Sequence, residues 1–259
     1  MIERLPNKPV VKPWGSTSLE PWFGNSSETI GEQWFEGPPE WPLLIKFLFT
    51  KSALSVQVHP GDEYARQQGH LRGKTEMWHI LAAEPGARIA AGFTQPLSAQ
   101  AMRAAADSGE VLDLLTWHEA KPGDTFFIPA GTVHAIGGGL TLCEIQQNSD
   151  VTYRLYDYGS NRQLHLDDGV RVSDLGPHDA RRTAREGLLV ECPSFTTEKY
   201  FIAGRKQVPA LDRDQYIIVL QGAGEILGRP IRAGEVFRSP AGDPPVDIAG
   251  HLAILRTFA

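Results

Sequence analysis

Apolar and β-branched runs of strand length recur along the chain, each bounded by Gly, Pro or Asp: LLIKFLF, ALSVQVH, MWHILAA, DTFFIPA, LTLCEI, DVTYRLYDY, QYIIVLQ, EVFRS and LAILRTF. This density of short strands, with 26 glycines and 19 prolines to turn them, predicts a mainly β sandwich or barrel architecture. The clear exception is SAQAMRAAADSGEVLDLL, whose Ala- and Leu-rich composition predicts two short helices split at Ser108 and Gly109. It defines a helical insert at about 95–118.

The runs also repeat. KPGDTFFIPAGTVHAI from Lys121 reappears as IRAGEVFRSPAGDPPVDI from Ile231, and Gly123, Pro129 and Gly131 match Gly234, Pro240 and Gly242, each pair 111 positions apart. MWHIL from Met77 aligns with YIIVL from Tyr216 at an offset of 139. The larger offset is what an insert in the first copy alone produces. A duplicated β unit therefore predicts two domains: 1–190, carrying the insert, and 191–259, a degenerate second barrel. The copies differ at chemically useful positions, where His134 is replaced by Pro245 and Glu76 by Gln215.

Composition narrows the function. The chain is 41% hydrophobic, enough for a buried core, and 25 Lys and Arg against 31 Asp and Glu leave a net charge of -6 with no long run of one sign. That argues against a nucleic-acid partner. The opening MIERLPNKPVVKPWG has no apolar core of a signal peptide, and no membrane-spanning stretch occurs. Cys143 and Cys192 lack the spacing of a metal knuckle or disulfide framework and read as reduced thiols of a cytoplasmic protein.

The pattern G-x5-P-x-G-x2-H from Gly123 to His134 resembles the second signature of the cupin barrel, in which a strand and its turn deliver a histidine inward. Upstream, SVQVHP places Gln57 and His59 two residues apart on an extended run, so both leave one face of the strand. GKTEMW adds Glu76. Two imidazoles, a carboxylate and an amide oxygen suit one divalent ion per chain, Zn2+ first, with Mn, Co or Fe as alternatives. His79 has the opposite parity to Glu76 and reads as packing or surface. His70, His118, His165, His178 and His251 have no companions at ligand spacing.

KPWG, LLIKFL, LSVQVHPGDEYA, GKTEMW, IPAGTVHAIG and EIQQNSDVTYRLYDYG together resemble type I phosphomannose isomerases (mannose-6-phosphate isomerases) in their short bacterial form, over nearly the whole chain. The resemblance implies two cupin (jelly-roll type) barrels and a catalytic zinc held by Gln57, His59, Glu76 and His134. It also implies a sugar-phosphate pocket lined by Lys74, Glu144, Asp150 and Arg154. Glu144, Asp150 and Arg154 are all even-numbered on a run that reads as extended from Leu140 to Tyr158, which predicts a shared face if no bulge intervenes; Lys74 shares parity with Glu76. The sequence departs from the family at Ser160, where an arginine often follows YDYG, and Arg162 is the candidate substitute. The implied reaction moves a proton between C1 and C2 of an opened sugar through an enediolate. Arg154 is the candidate to stabilise the enediolate, Glu144 and Asp150 are the candidate proton carriers, and Lys74 with Arg162 is the candidate phosphate anchor. The competing readings are a metal-cupin oxygenase, against which Gln57 argues, and a non-catalytic sugar-phosphate sensor, against which the proton carriers argue. Oligomeric state is not readable from the sequence.

Overall fold

The computed structural model describes residues 1–259. The chain begins with strands β1 (Glu3–Arg4), β2 (Lys8–Ser18), β3 (Asn25–Phe35), β4 (Leu43–Thr50) and β5 (Val56–Val58), then a short helix α1 (Asp62–Gln67). Strands β6 (Glu76–Ala83) and β7 (Arg88–Phe93) precede helices α2 (Ala99–Ser108) and α3 (Val111–Leu114). Four strands follow: β8 (Leu115–Glu119), β9 (Thr125–Ile128), β10 (His134–Ile136) and β11 (Leu140–Gln147). Strand β12 (Tyr153–Tyr156) leads to helix α4 (Leu166–Val172), β13 (Arg181–Arg182) and β14 (Gly187–Glu191). The chain ends with β15 (Thr196–Val208), β16 (Gln215–Ile226), β17 (Arg229–Arg232), β18 (Val236–Ser239) and β19 (Val246–Phe258). No helix is long and apolar enough to cross a membrane.

The strands form three sheets. A seven-stranded sheet in the order β13-β9-β6-β11-β4-β3-β2 occupies the middle. A five-stranded sheet, β12-β5-β10-β7-β8, covers one face, and a C-terminal sheet of β1-β18-β16-β19-β15-β14 with β17 covers the other. The alternation of strand side chains sorts the core between them. Ile45, Phe47, Phe49, Met77, Cys143 and Ile145 pack with Tyr216, Ile218 and Leu255 of the C-terminal sheet. From the other face of the same strands, Leu48, Trp78, Ile80 and Leu142 pack with Ile89, Ala91 and Ile136 of the five-stranded sheet. Every residue of β4 is buried because both its faces are covered, which explains the near-continuous apolar run LLIKFLFT.

The insert folds as the composition predicts over its first part. Ser98 caps α2 by accepting from the N–H of Ala101 at 3.1 Å, and Gly109 ends it with φ 87°, the left-handed C-terminal cap that glycine adopts without strain. Met102, Ala105 and Ala106 seal the outer face of the five-stranded sheet. From Leu115 the chain is strand rather than helix, because β8 pairs with β7 along that sheet's edge.

The Leu140–Tyr158 run is not one strand, a correction to the extended reading. Strand β11 ends at Gln147, the chain turns, and β12 enters the five-stranded sheet beside β5, with Arg154 opposite Gln57. The turn is fixed by the Asn148 N–H donating to Pro42 O at 2.8 Å and by the Gln146 amide donating to Ser149 O.

The repeat is a duplication of register as well as of residues. Glu76, Met77, Trp78 and His79 pair with Ile128, Phe127, Phe126 and Thr125; Gln215, Tyr216, Ile217 and Ile218 pair in the same order with Ser239, Arg238, Phe237 and Val236. The turns entering β9 and β18 use Gly123 at φ 88° and Gly234 at φ 89°, a backbone conformation that side chains resist. The C-terminal sheet encloses a core of its own, including Ile202, Val219, Ile248 and Ile254.

Phe47, fully buried between the middle and C-terminal sheets, tests this layering. Phe47→Ala is expected to cost about 3–5 kcal/mol in denaturant unfolding. The exposed Val11→Ala control is expected to stay within about 0.5 kcal/mol. Equal effects would contradict the sandwiched sheet.

Candidate metal centre and cavity

Three sheet positions converge on one point. Gln57 of β5 and His134 of β10 are cross-strand partners, His59 directly follows β5, and Glu76 opens β6 on the facing sheet. The ligand atoms of His59, Glu76 and His134 lie within 4.8 Å of one another, all buried. His59 Nε2 is 3.7 Å from Glu76 Oε2, and His134 Nε2 is 3.5 Å from Glu76 Oε1. The other ring nitrogens each donate to a backbone carbonyl at 2.9 Å, His59 Nδ1 to Val151 O and His134 Nδ1 to Thr132 O. Those bonds fix the tautomers and leave the Nε2 lone pairs facing the carboxylate. His59 Nε2 is buried with no hydrogen-bond partner and faces the Glu76 carboxylate, an arrangement a cation between them resolves.

Electrostatics agree with ligation. Burial pushes His134 down to about 4 and, with the nearby Lys74 charge, holds His59 well below the usual imidazole range. Both rings are therefore neutral near pH 7, as metal ligands require. Burial also raises Glu76, against the pull of Lys74. The Gln57 amide reaches the same point, 3.3 Å from His134 Nε2, and half a turn of the amide presents its oxygen there. A set of two neutral imidazoles, a carboxylate and an amide oxygen fits a divalent ion such as zinc.

From Glu76 a chain of buried charges of alternating sign leads away. Lys74 Nζ is 3.0 Å from Glu76 Oε2 and 3.6 Å from Glu144 Oε1; Lys46 Nζ is 3.4 Å from Glu144 and 3.6 Å from Glu32; Lys12 lies 3.3 Å from Glu32. The Trp34 indole N–H donates to Glu32, and its ring lies under the Lys46 ammonium at 4.4 Å. At Lys74 and Glu144 burial opposes the charge, but the neighbours win. Glu76 and Glu144 hold the Lys74 ammonium above its ordinary pKa, and Lys74 and Lys46 hold Glu144 below its own. Lys12, Glu32 and Lys46 were not singled out from the sequence. The one signal was a lysine inside the otherwise apolar LLIKFLF.

This chain borders a cavity of about 240 Å3 whose walls include Gln57, Lys74, Glu144, Asp150, Arg154 and Arg162. Glu144, Asp150 and Arg154 thus meet across the gap between two sheets rather than along one strand face. Arg154 donates through Nη1 to Gln163 O at 2.9 Å while its Nε is buried without a partner. Arg162 is clamped to Asp157, its Nε donating at 2.6 Å, and the Ser160 hydroxyl donates to the same carboxylate. Asp150 is exposed at the rim.

The remaining histidines stay outside this cluster. His79 is buried against Thr125, His178 bonds Phe127 O, and the His165 Nδ1 accepts from the Arg154 N–H. Both cysteines are free.

The fold and site define a mainly β protein of the cupin class with a buried metal-ligand set opening onto a charged cavity. No protein-family model matches the chain. It is 37% identical over 230 residues to the mannose-6-phosphate isomerase ManA of Bacillus subtilis, covering 81% of this chain and 72% of the relative. It is 36% identical over 217 residues to a mannose-6-phosphate isomerase of Streptococcus mutans, covering 79% and 65%. The crystal structure of the mannose 6-phosphate isomerase from Bacillus subtilis superposes with a TM-score of 0.85 at 30% identity over 98% of both chains. The chain belongs to the mannose-6-phosphate isomerase family.

The buried neutral imidazoles predict a pH-dependent weakness in the metal-free protein. Between pH 6.5 and about 4 the unfolded chain protonates His134 while the folded chain does not, so stability falls as pH falls through that window. Chelator-treated protein is expected to lose denaturation midpoint steadily from pH 7 to 4, and His134→Gln to flatten that loss. An identical slope in the variant would show that His134 is not buried neutral.

Proposed function

We propose that this chain is an aldose-ketose isomerase that interconverts mannose 6-phosphate and fructose 6-phosphate at a single zinc ion held by Gln57, His59, Glu76 and His134. The observation that carries this reading is the convergence of two buried, neutral, tautomer-fixed imidazoles on one buried carboxylate beside a charged cavity. Family membership supports the substrate. Zinc, when bound, polarises the sugar carbonyl and offsets the negative charge that develops during enolisation.

The protein's own groups supply the rest. Glu144 is deep in the cavity and held ionised by Lys46 and Lys74, which suits it to move the proton between C1 and C2. Asp150, at the rim, is the second proton carrier. Lys74 sits between Glu76 and Glu144, so its charge acts at the metal end, where enediolate oxygens form. Arg154 has an unpartnered buried Nε facing the same need and completes that stabilisation. Arg162 and Lys12, toward the mouth, are left to hold the terminal phosphate; Arg162 reaches it by sharing its guanidinium with Asp157. Binding energy from that remote dianion holds the reacting carbons in place.

The C-terminal strands form a degenerate second barrel without chemistry. By register the equivalents of Glu76, Glu144 and Lys46 are Gln215, Arg256 and Glu198, and these satisfy one another: Arg256 donates to Gln215 Oε1 at 2.7 Å and pairs with Glu198 at 3.0 Å. Free cysteines and the absence of a membrane-spanning helix support a cytoplasmic location, and the acidic net charge disfavours nucleic acid.

A coupled assay on mannose 6-phosphate tests the reading. Turnover is expected to vanish on chelation and return with one equivalent of zinc per chain. Glu144→Gln should lower kcat by about 10²–10⁴ with the metal retained. Sugar-phosphate binding without turnover would instead identify a sensor, and two tightly bound metals per chain would refute the single site.

A further inference from the structure

An opening of about 720 Å3 lies on the opposite side of the middle sheet from the metal cavity, between that sheet and the C-terminal one. Its walls follow from strand alternation. On β6, Glu76, Trp78 and Ile80 face inward to the metal side, while His79 and Leu81 face this second space. On β15, Lys199 and Phe201 face it from across the gap, with Ala253 beside Phe201 on β19. Trp22 closes one end, its indole N–H already donated to Leu220 O at 2.7 Å, so the ring presents an apolar surface.

The unusual member is Lys199. It is 7% exposed and makes no ion pair. Its ammonium donates to His79 Nε2 at 3.0 Å, and His79 Nδ1 is engaged with Thr125 Oγ1 at 2.9 Å. His79 is 1% exposed, and burial, aided by Lys199, pushes it down to about 3, so the ring is neutral and supplies no counter-charge. Of the nearby acids Asp124 and Glu186, the latter acts on Lys199 only through space, and neither pairs with it. Asp124 holds Arg181 and Arg185, at 2.5 and 2.9 Å, and Glu186 accepts from the Phe201 N–H. A buried cation faced only by a neutral imidazole and, at 4.8 Å, by the Phe201 ring lacks a counter-charge, which is costly, and here it borders a space large enough for a ligand. At the mouth, Phe201 is 55% exposed and Arg232 is exposed.

We propose that this inter-sheet cavity binds a small organic anion, its charged group on Lys199 with Arg232 at the rim, and its apolar body against Trp22, Leu81, Leu220 and Phe201. The site is separate from the metal cavity and independent of the reaction assigned to it. It shares β6 with the metal centre, His79 lying three residues beyond Glu76.

The probe is 8-anilinonaphthalene-1-sulfonate, titrated by fluorescence into purified full-length protein with and without excess mannose 6-phosphate. One saturable site is expected, unaffected by the sugar phosphate. Lys199→Met is expected to weaken binding about tenfold or more through loss of the charged contact. Ala233→Phe, which fills the cavity without touching the charge, is expected to abolish it. The far-ultraviolet circular dichroism of each variant reports folding, and if Lys199→Met fails to fold, Ala233→Phe decides. The proposal is overturned by absence of saturable binding, by unchanged binding in the folded variants, or by displacement with mannose 6-phosphate, which would place the dye in the metal cavity.

Discussion

A sheet covered on both faces leaves its side chains no water to turn to, and the middle sheet is in that position. Alternate residues of β4, β6 and β11 divide between an apolar interface with the C-terminal sheet and an inner face that carries Lys46, Glu76 and Glu144. Each inner charge is therefore held by another charge of the protein. The result is the alternating series Lys12, Glu32, Lys46, Glu144, Lys74 and Glu76, in which every internal member touches two of opposite sign. Removing an internal member leaves each buried neighbour short of one counter-charge, a penalty larger than the net value of an intact pair. The series consequently positions side chains more than it stabilises the fold, and it ends at the metal centre.

That positioning shows in what is left over. The series satisfies its own members, but His59 Nε2 and Arg154 Nε remain without hydrogen bonds. These atoms border the metal centre or the cavity beside it. Unmet polar capacity where a metal and a polyhydroxylated anion are to be received is an arrangement prepared for ligands.

Much of this was legible because it depends on short-range geometry. Two-residue spacing places Gln57 and His59 together, a glycine turn with positive φ delivers His134, and the residues so singled out are those the fold brings within reach of Glu76. The break at Ser108 and Gly109 was likewise local, set by a glycine cap. Parity failed over Leu140–Tyr158 because the chain leaves one sheet and enters another between Gln147 and Tyr153, and strand parity has no meaning across that change. Lys46 and Glu32 were missed for a related reason. Their burial depends on β4 lying between β11 and β3, with Lys46 opposite both Glu144 and Trp34, and no property of LLIKFLF specifies those neighbours.

The duplicated register explains how one copy could keep chemistry while the other lost it without losing the fold. Trp78 and Ile217 occupy equivalent positions, and their partners are Glu144 and Arg256; across the next strand, Lys46 and Glu198 complete the correspondence. The acid and base have exchanged places. A glutamate beside Lys46 leaves a carboxylate able to work with Glu76 and a cation beyond it. An arginine in that place reaches instead to Gln215 and to Pro209 O, consuming the donors and acceptors that a ligand would need. Either polarity satisfies the buried pair and therefore either supports folding. Only the orientation with the carboxylate next to Lys74 and the metal centre leaves acceptor capacity in the cavity, so the sign of the pair matters in the first copy and not for folding in the second.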